Sequence, residues 1–114
     1  MKLLKAFIRT RKVDDVIRAL QAAGAPGITV SRVHGVGYGY DPYLFTLAPR
    51  ELPKTPEVAK IEVVCCDEDC DRLVAVLVAA ACTGSQGDGI VFVMLVARVV
   101  WVCTGEEGDA VLAS

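Results

Sequence analysis

The chain has 114 residues, 54% of them hydrophobic and 23% charged, with a mean hydropathy of +0.46. That is one domain's length, enough to bury a core, and it excludes a disordered tail or a low-complexity linker. Lys and Arg number 12 against 14 Asp and Glu, a net charge of −2 that draws no polyanion and excludes bulk nucleic-acid binding.

The elements follow from periodicity. Residues 3–9 alternate, with Leu4, Ala6 and Ile8 on one face, which predicts a strand. Residues 13–23 carry Val13, Val16, Ile17 and Leu20 at helical spacing, with Asp14 and Asp15 in the first turn, where the helix dipole favours anions. Gly24 is the predicted C-terminal cap and Pro26 forbids continuation. Residues 28–36 are rich in β-branched side chains and read as a second strand. No period survives between Gly37 and Glu57, where Pro42, Pro49, Pro53 and Pro56 interrupt. A loop of about 20 residues inside a small domain points to function. Residues 60–66 are the third strand, and 69–82 a second helix with a stripe of Cys70, Leu73, Val74, Leu77 and Ala81, ended by Gly84. Residues 90–96 and 99–103 are apolar strand segments, with a bulge expected near Ala97 and Arg98. The order βαβ–βαβ predicts an α+β, ferredoxin-like subunit with both helices on one face of an antiparallel sheet. Apolar residues on both faces of 90–102, and an apolar content beyond one small subunit's needs, point to subunit contact.

The cysteine count is five, an odd number. Lys5, Arg9, Arg11 and Lys12 stand where a secretory signal would be apolar, so free thiols in a reducing cytoplasm are expected. The longest apolar run, from Ile90 to Ala97, falls short of the roughly 20 residues of a membrane span even when continued to Cys103. No membrane insertion is expected.

From Thr83 the sequence resembles a known family. TGSQGDGIVFV, VARVV and TGEEGDAVL are similar to the C-terminal signature of the PII signal-transduction proteins, and RKVDDVIRAL, GITVSRVHGVG and KIEVV to that family's first helix, second strand and third strand. The resemblance spans nearly the whole chain, as one PII-like domain over residues 1–114. It implies a homotrimer with clefts between subunits for ATP, ADP and often 2-oxoglutarate. It also implies a loop protruding between the second and third strands, residues 37–57, that docks on transporters and enzymes of nitrogen metabolism. On that resemblance Thr29 and Val64 match adenine-contacting positions, and Gly35, Gly37, Gly87, Asp88 and Gly89 match the nucleotide loops. Taken alone, the glycines read more readily as two turns needing positive φ.

Departures from the family pattern bear on the ligand. Ile90 replaces a lysine, Trp101 and Cys103 replace two arginines, Val58 a basic residue, and Gly39 a glutamine that contacts metal-bound ATP and 2-oxoglutarate. A charge-assisted hydrogen bond contributes roughly 1.5–3 kcal/mol, so losing several cations lowers triphosphate affinity by orders of magnitude. The expected ligand is an adenine nucleotide of lower charge, without the ATP–2-oxoglutarate readout. Trp101 either stacks on a base or, the expectation preferred, fills the space left by the arginine. Glu51 stands where many relatives carry a modified tyrosine; Tyr38, Tyr40, Tyr43 and Phe45 nearby are expected to be partner anchors. Folding back onto a neighbouring subunit is the other use for these side chains.

Cys65, Cys66 and Cys70, among Asp67, Glu68, Asp69 and Asp71, raise a second possibility: a metal-binding or redox-responsive trimer. Against it, adjacent strand residues point to opposite faces, and a buried free cysteine behaves as a small hydrophobe. Cys82 and Cys103 are expected in the core or an interface, and the single histidine, His34, as a hydrogen-bonded strand residue. Glu106 and Glu107 lie in an expected solvated C-terminal segment, with no nucleophile or base poised beside them. The expectation is a regulator and not an enzyme.

Overall fold

Alternation along the strands decides which side of the sheet is covered. The computed structural model describes residues 1–35 and 57–113, and among them lie β1 (Lys2–Arg9), α1 (Val13–Ala22), β2 (Thr29–His34), β3 (Glu57–Cys65), α2 (Asp67–Ala81), β4 (Gly89–Leu95) and α3 (Asp109–Ala113). The four strands pair antiparallel in the order β2-β3-β1-β4. This is the ferredoxin-like α+β arrangement: each helix crosses over so that its second strand lies two positions from its first, with one strand between them.

Leu4, Ala6 and Ile8 of β1 and Ile61, Val63 and Cys65 of β3 face α1 and α2, and each is at most 2% exposed. Val16 and Leu20 of α1 and Cys70, Leu73, Leu77 and Ala81 of α2 close the core over them. The predicted stripes are therefore the buried faces. α1 ends as Gly24 and Pro26 predict. The Gly24 amide donates to Gln21 (3.1 Å) and the Ala25 amide to Leu20 (3.0 Å), with Gly24 at φ +85°. This is the Schellman arrangement, which needs a residue without a Cβ at the left-handed position. α2 starts with Cys66 as its N-cap, earlier than predicted, and carries Asp67, Glu68 and Asp69 in its first turn.

Three expectations change. β2 stops at His34, two residues short of its predicted end, and β3 starts at Glu57, three residues before its predicted start and at the last residue of the predicted 37–57 loop. α2 ends at Ala81, and Gly84 belongs to the following loop instead of capping the helix. Residues 99–103 are not a strand of the sheet. Val100 makes a single bridge to Glu107, the Trp101 amide donates to the Glu106 carbonyl (2.8 Å), and the Gly105 amide donates to the Trp101 carbonyl (2.8 Å). This segment satisfies its backbone by folding on itself. Beyond it, Glu106 and Glu107 are exposed, as expected, and α3 packs back with Val111 buried.

The other sheet face is covered by neither α1 nor α2. By register it carries Leu3 and Phe7 of β1, Val64 of β3, and Ile90, Phe92 and Met94 of β4. Phe7 and Phe92 meet edge to face at 6.2 Å.

Candidate functional site

A groove of about 920 Å³ opens beside the segment 99–103. Thr29 of β2 and Glu62 of β3 are register partners, and Val64 and Leu3 pair in the row beside one of them. Strand parity puts all four on the helix-free face. Val99, Trp101 and Cys103 stand against them, with Leu112 of α3 completing the wall. Thr29 and Val64, predicted together as adenine-contacting residues, are thus brought together with the two residues that replace the arginines. Trp101 is 46% exposed and lines the groove.

The glycine loop after α2 is built around one carboxylate. Asp88 accepts from the Thr83 amide (2.7 Å), the Gly84 amide (3.0 Å), the Thr83 hydroxyl and Arg9 Nε (3.2 Å). These bonds, the Thr83 hydroxyl foremost, hold its carboxyl well below the usual range. Arg9 also donates through Nη2 to the Gln86 carbonyl (2.8 Å), tying the end of β1 to the loop. Gly87 and Gly89 adopt φ +97° and +111°. A Cβ on Gly89 would stand 1.8 Å from the Phe7 carbonyl oxygen, so the position admits no side chain.

Within one protomer the groove and the glycine loop are separate. Gly89 lies in a row with Ile8, Ala59 and Arg32, whereas Thr29 lies in a row with Glu62, Lys5 and Phe92. Those rows are three residues apart, about 10 Å, and β2 and β4 are opposite edges of the sheet, about 14 Å apart at the usual strand spacing. Gly35 follows β2 at the Gly89 end of the sheet, on the far edge. Asp88 and Gly89 border a different depression, of about 340 Å³, with Ile8, Leu77 and Ile90. The predicted nucleotide residues therefore fall at two separate depressions on the protomer. Gly37, Gly39, Tyr38, Tyr40, Tyr43, Phe45 and Glu51 lie outside the described residues.

The thiols do not form a metal centre. Among the described residues no three His, Cys, Asp or Glu side chains are placed to hold an ion. Cys65 and Cys70 are buried together, and burial, with Cys70 and Asp69 adding to it, pushes the Cys65 thiol up to about 11. Cys66 caps α2 outside that pair. The metal and redox reading loses its geometric basis, because a thiol that stays protonated is a poor ligand and nucleophile. Cys82 and Cys103 are exposed in the protomer, so neither is in the core as one expectation had it. Glu107 pairs with Arg98 (2.7 Å).

Two residues escaped the sequence reading. Glu62 carried a signal, since it is two residues from Val64 on a strand and must share its face. Arg9 carried none, because its partners Gln86 and Asp88 are distant in sequence.

The nitrogen regulatory protein P-II family model matches residues 1–106. The chain is 42% identical over 108 residues to the nitrogen regulatory protein P-II 2 of Methanothermobacter thermautotrophicus, a match covering 88% of this chain and 87% of that one. It is 41% identical over 112 residues to the nitrogen regulatory protein P-II of Klebsiella oxytoca, covering 96% and 98% of the two chains. The nitrogen regulatory protein P-II 1 of Escherichia coli matches to the same extent. A match of this length and identity, on a ferredoxin-like subunit with a groove at Thr29 and Val64, places the chain in the nitrogen regulatory protein P-II family.

Proposed function

We propose that the protein is a homotrimeric signal-transduction regulator of nitrogen or related metabolism that works in the cytoplasm. A small adenine-bearing ligand, of lower charge than ATP, binds between subunits and controls docking of the 37–57 loop on a target protein. The observation carrying this reading is the division of the candidate site into two half-sites on one protomer, the groove at Thr29, Val64 and Trp101 and the glycine loop at Gly87–Gly89. Two halves that one chain cannot join become a cleft when the helix-free face of one subunit meets the next. The regulatory names of the relatives support the same reading. We read the chain as a regulator and not as a catalyst. No described helix is long and apolar enough to cross a membrane.

The mechanism is population shift. Gly35 sits at the root of the loop, next to β2, so a ligand held there biases the loop among conformations. Tyr38, Tyr40, Tyr43, Phe45 and Glu51 are the proposed partner contacts. The test immobilises the full chain and a variant lacking residues 40–54 and compares what each retains from a cell lysate, with and without adenosine or AMP. A protein retained by the full chain alone, and released by the ligand, is the expected outcome. Identical retention by both would remove the loop from the mechanism.

A further inference from the structure

We infer that the assembled protein holds a small multivalent oxyanion, phosphate or a tricarboxylate, inside the ring of subunits, between the Lys5 and Lys60 side chains of the helix-free faces. The inference rests on the trimer proposed above. It adds a ligand site apart from the groove, which neither lysine lines.

Alternation puts Lys5 of β1 and Lys60 and Glu62 of β3 on the face that α1 and α2 leave uncovered. Lys60 and Glu62 pair at 3.6 Å, and both side chains are largely shielded even in the single protomer. Lys5 is the cross-strand neighbour of Glu62 and, among the described residues, makes no ion pair. Its other neighbours are apolar: Leu3 and Phe7 share its face along β1, and Phe92 stands opposite on β4. Arg9, the remaining cation on this face of β1, is answered by Asp88 at 3.2 Å. Two ammonium groups therefore share one carboxylate, and each protomer brings one positive charge in excess to an otherwise apolar patch.

In a free protomer water solvates that excess. Covering the face removes the water, and a charge taken out of water needs a partner. Symmetry denies it one from the protein's own copies. Every copy carries the same two lysines and one glutamate, so exchanging partners around the axis moves the excess without cancelling it. An anion of about two or three charges near that axis serves every copy at once. Its oxygens accept hydrogen bonds and the ammonium groups donate them, so hydrogen bonding matches as well as charge. A carboxylate built into the sheet in place of Phe92 is no equivalent. It removes the edge-to-face contact with Phe7 and fixes its charge in the wall, where a free anion takes its own place between the lysines.

The experiment uses the full chain. Light scattering first gives the mass in chloride. Calorimetry then titrates inorganic phosphate and, in a separate arm, citrate, at constant ionic strength. The expected result is saturable heat from at least one of them, at one anion per three chains, with a matching rise in melting temperature. Lys5→Met and, independently, Lys60→Met remove the excess charge. Each should weaken the anion by about tenfold or more and melt above the parent protein in chloride. Glu62→Gln doubles the excess and should tighten the anion. These opposite signs separate charge balance from lost packing, and from the general stabilisation by phosphate and citrate, which all variants share. No saturable heat from either anion, or an unchanged response in both lysine variants, overturns the inference and leaves the proposed regulator intact. One anion per chain also overturns it, by placing the anion in each subunit's own cleft. A monomeric mass overturns the inference and the trimer together, and is seen before any anion is added.

Discussion

Asp88 shows how one side chain can be conspicuous in a motif for a reason other than touching a ligand. Its carboxylate accepts from two backbone amides, the Thr83 hydroxyl and Arg9, so it shapes the loop that the motif marks. Those partners favour the ionised form and depress its pKa. A depressed carboxyl stabilises the fold at every pH above its unfolded value of about 3.9, and that contribution is lost only as pH falls through the lower, folded value. Asp88 is therefore expected to remain ionised near pH 3, where an ordinary aspartate is mostly protonated. The carboxyl carbon's NMR shift across an acid titration checks this. Asp88→Asn should move the Thr83 and Gly84 amide resonances and lower the melting temperature at neutral pH. Cys65 runs the other way. Its thiol, raised from 9.0 to about 11, is stabilising as the neutral form below pH 9. That contribution fades as pH rises from about 9 to about 11, because the unfolded chain ionises first. With a thiol-reactive dye at pH 8, exposed Cys82 and Cys103 should label fast, and buried Cys65 and Cys70 only on unfolding. Fast labelling of Cys65 would contradict the burial on which this rests.

Helix α2 carries the central part of the core, and its contribution is measurable. Leu77 is fully buried between α1 and β1 in the cluster with Leu20, Leu73 and Ile8. Leu77→Ala removes its packing and leaves a cavity, an expected loss of about 2–5 kcal/mol in denaturant unfolding. Val78→Ala one position on, at a side chain 48% exposed, should cost far less. That contrast was legible beforehand: 3.6-residue spacing separates Leu73, Val74, Leu77 and Ala81 from their neighbours. Alternation did the same for Leu4, Ala6 and Ile8. What stayed hidden was pairing that spans the chain. Residues 99–103 read as a strand because they are apolar and β-branched, yet their backbone bonds run to Glu106, Glu107 and Gly108 instead of to an edge of the sheet. The groove was half legible. Family resemblance singled out Thr29, Val64, Trp101 and Cys103. Glu62, which shares Val64's face by alternation, was readable there but missed, and the register sets it opposite Thr29 and Lys5.

At the scale of the whole molecule, the governing fact is a sheet with helices on one side. An antiparallel sheet can leave its second face to water when that face is polar. Here it is not: Leu3, Phe7, Val64, Ile90, Phe92 and Met94 lie on it, with Lys5, Lys60 and Glu62 among them. Contiguous apolar surface of this kind marks an interface. In the proposed trimer a closed ring would cover it in every copy and bring the groove of one protomer toward the glycine loop of another. Light scattering should therefore give about three times 12.1 kDa at micromolar concentration. Phe92→Glu tests the face directly. Phe92 stands opposite Lys5 at the middle of the helix-free side, away from the core formed with α1 and α2, so a carboxylate there can be solvated in an isolated subunit but not inside a closed interface. The variant should keep its helical circular dichroism, scatter as a monomer, and lose ligand response in Trp101, because half of each cleft has gone. A variant that remained trimeric with Glu at position 92 would show that the subunits meet through another surface. The two half-sites would then have no route to each other.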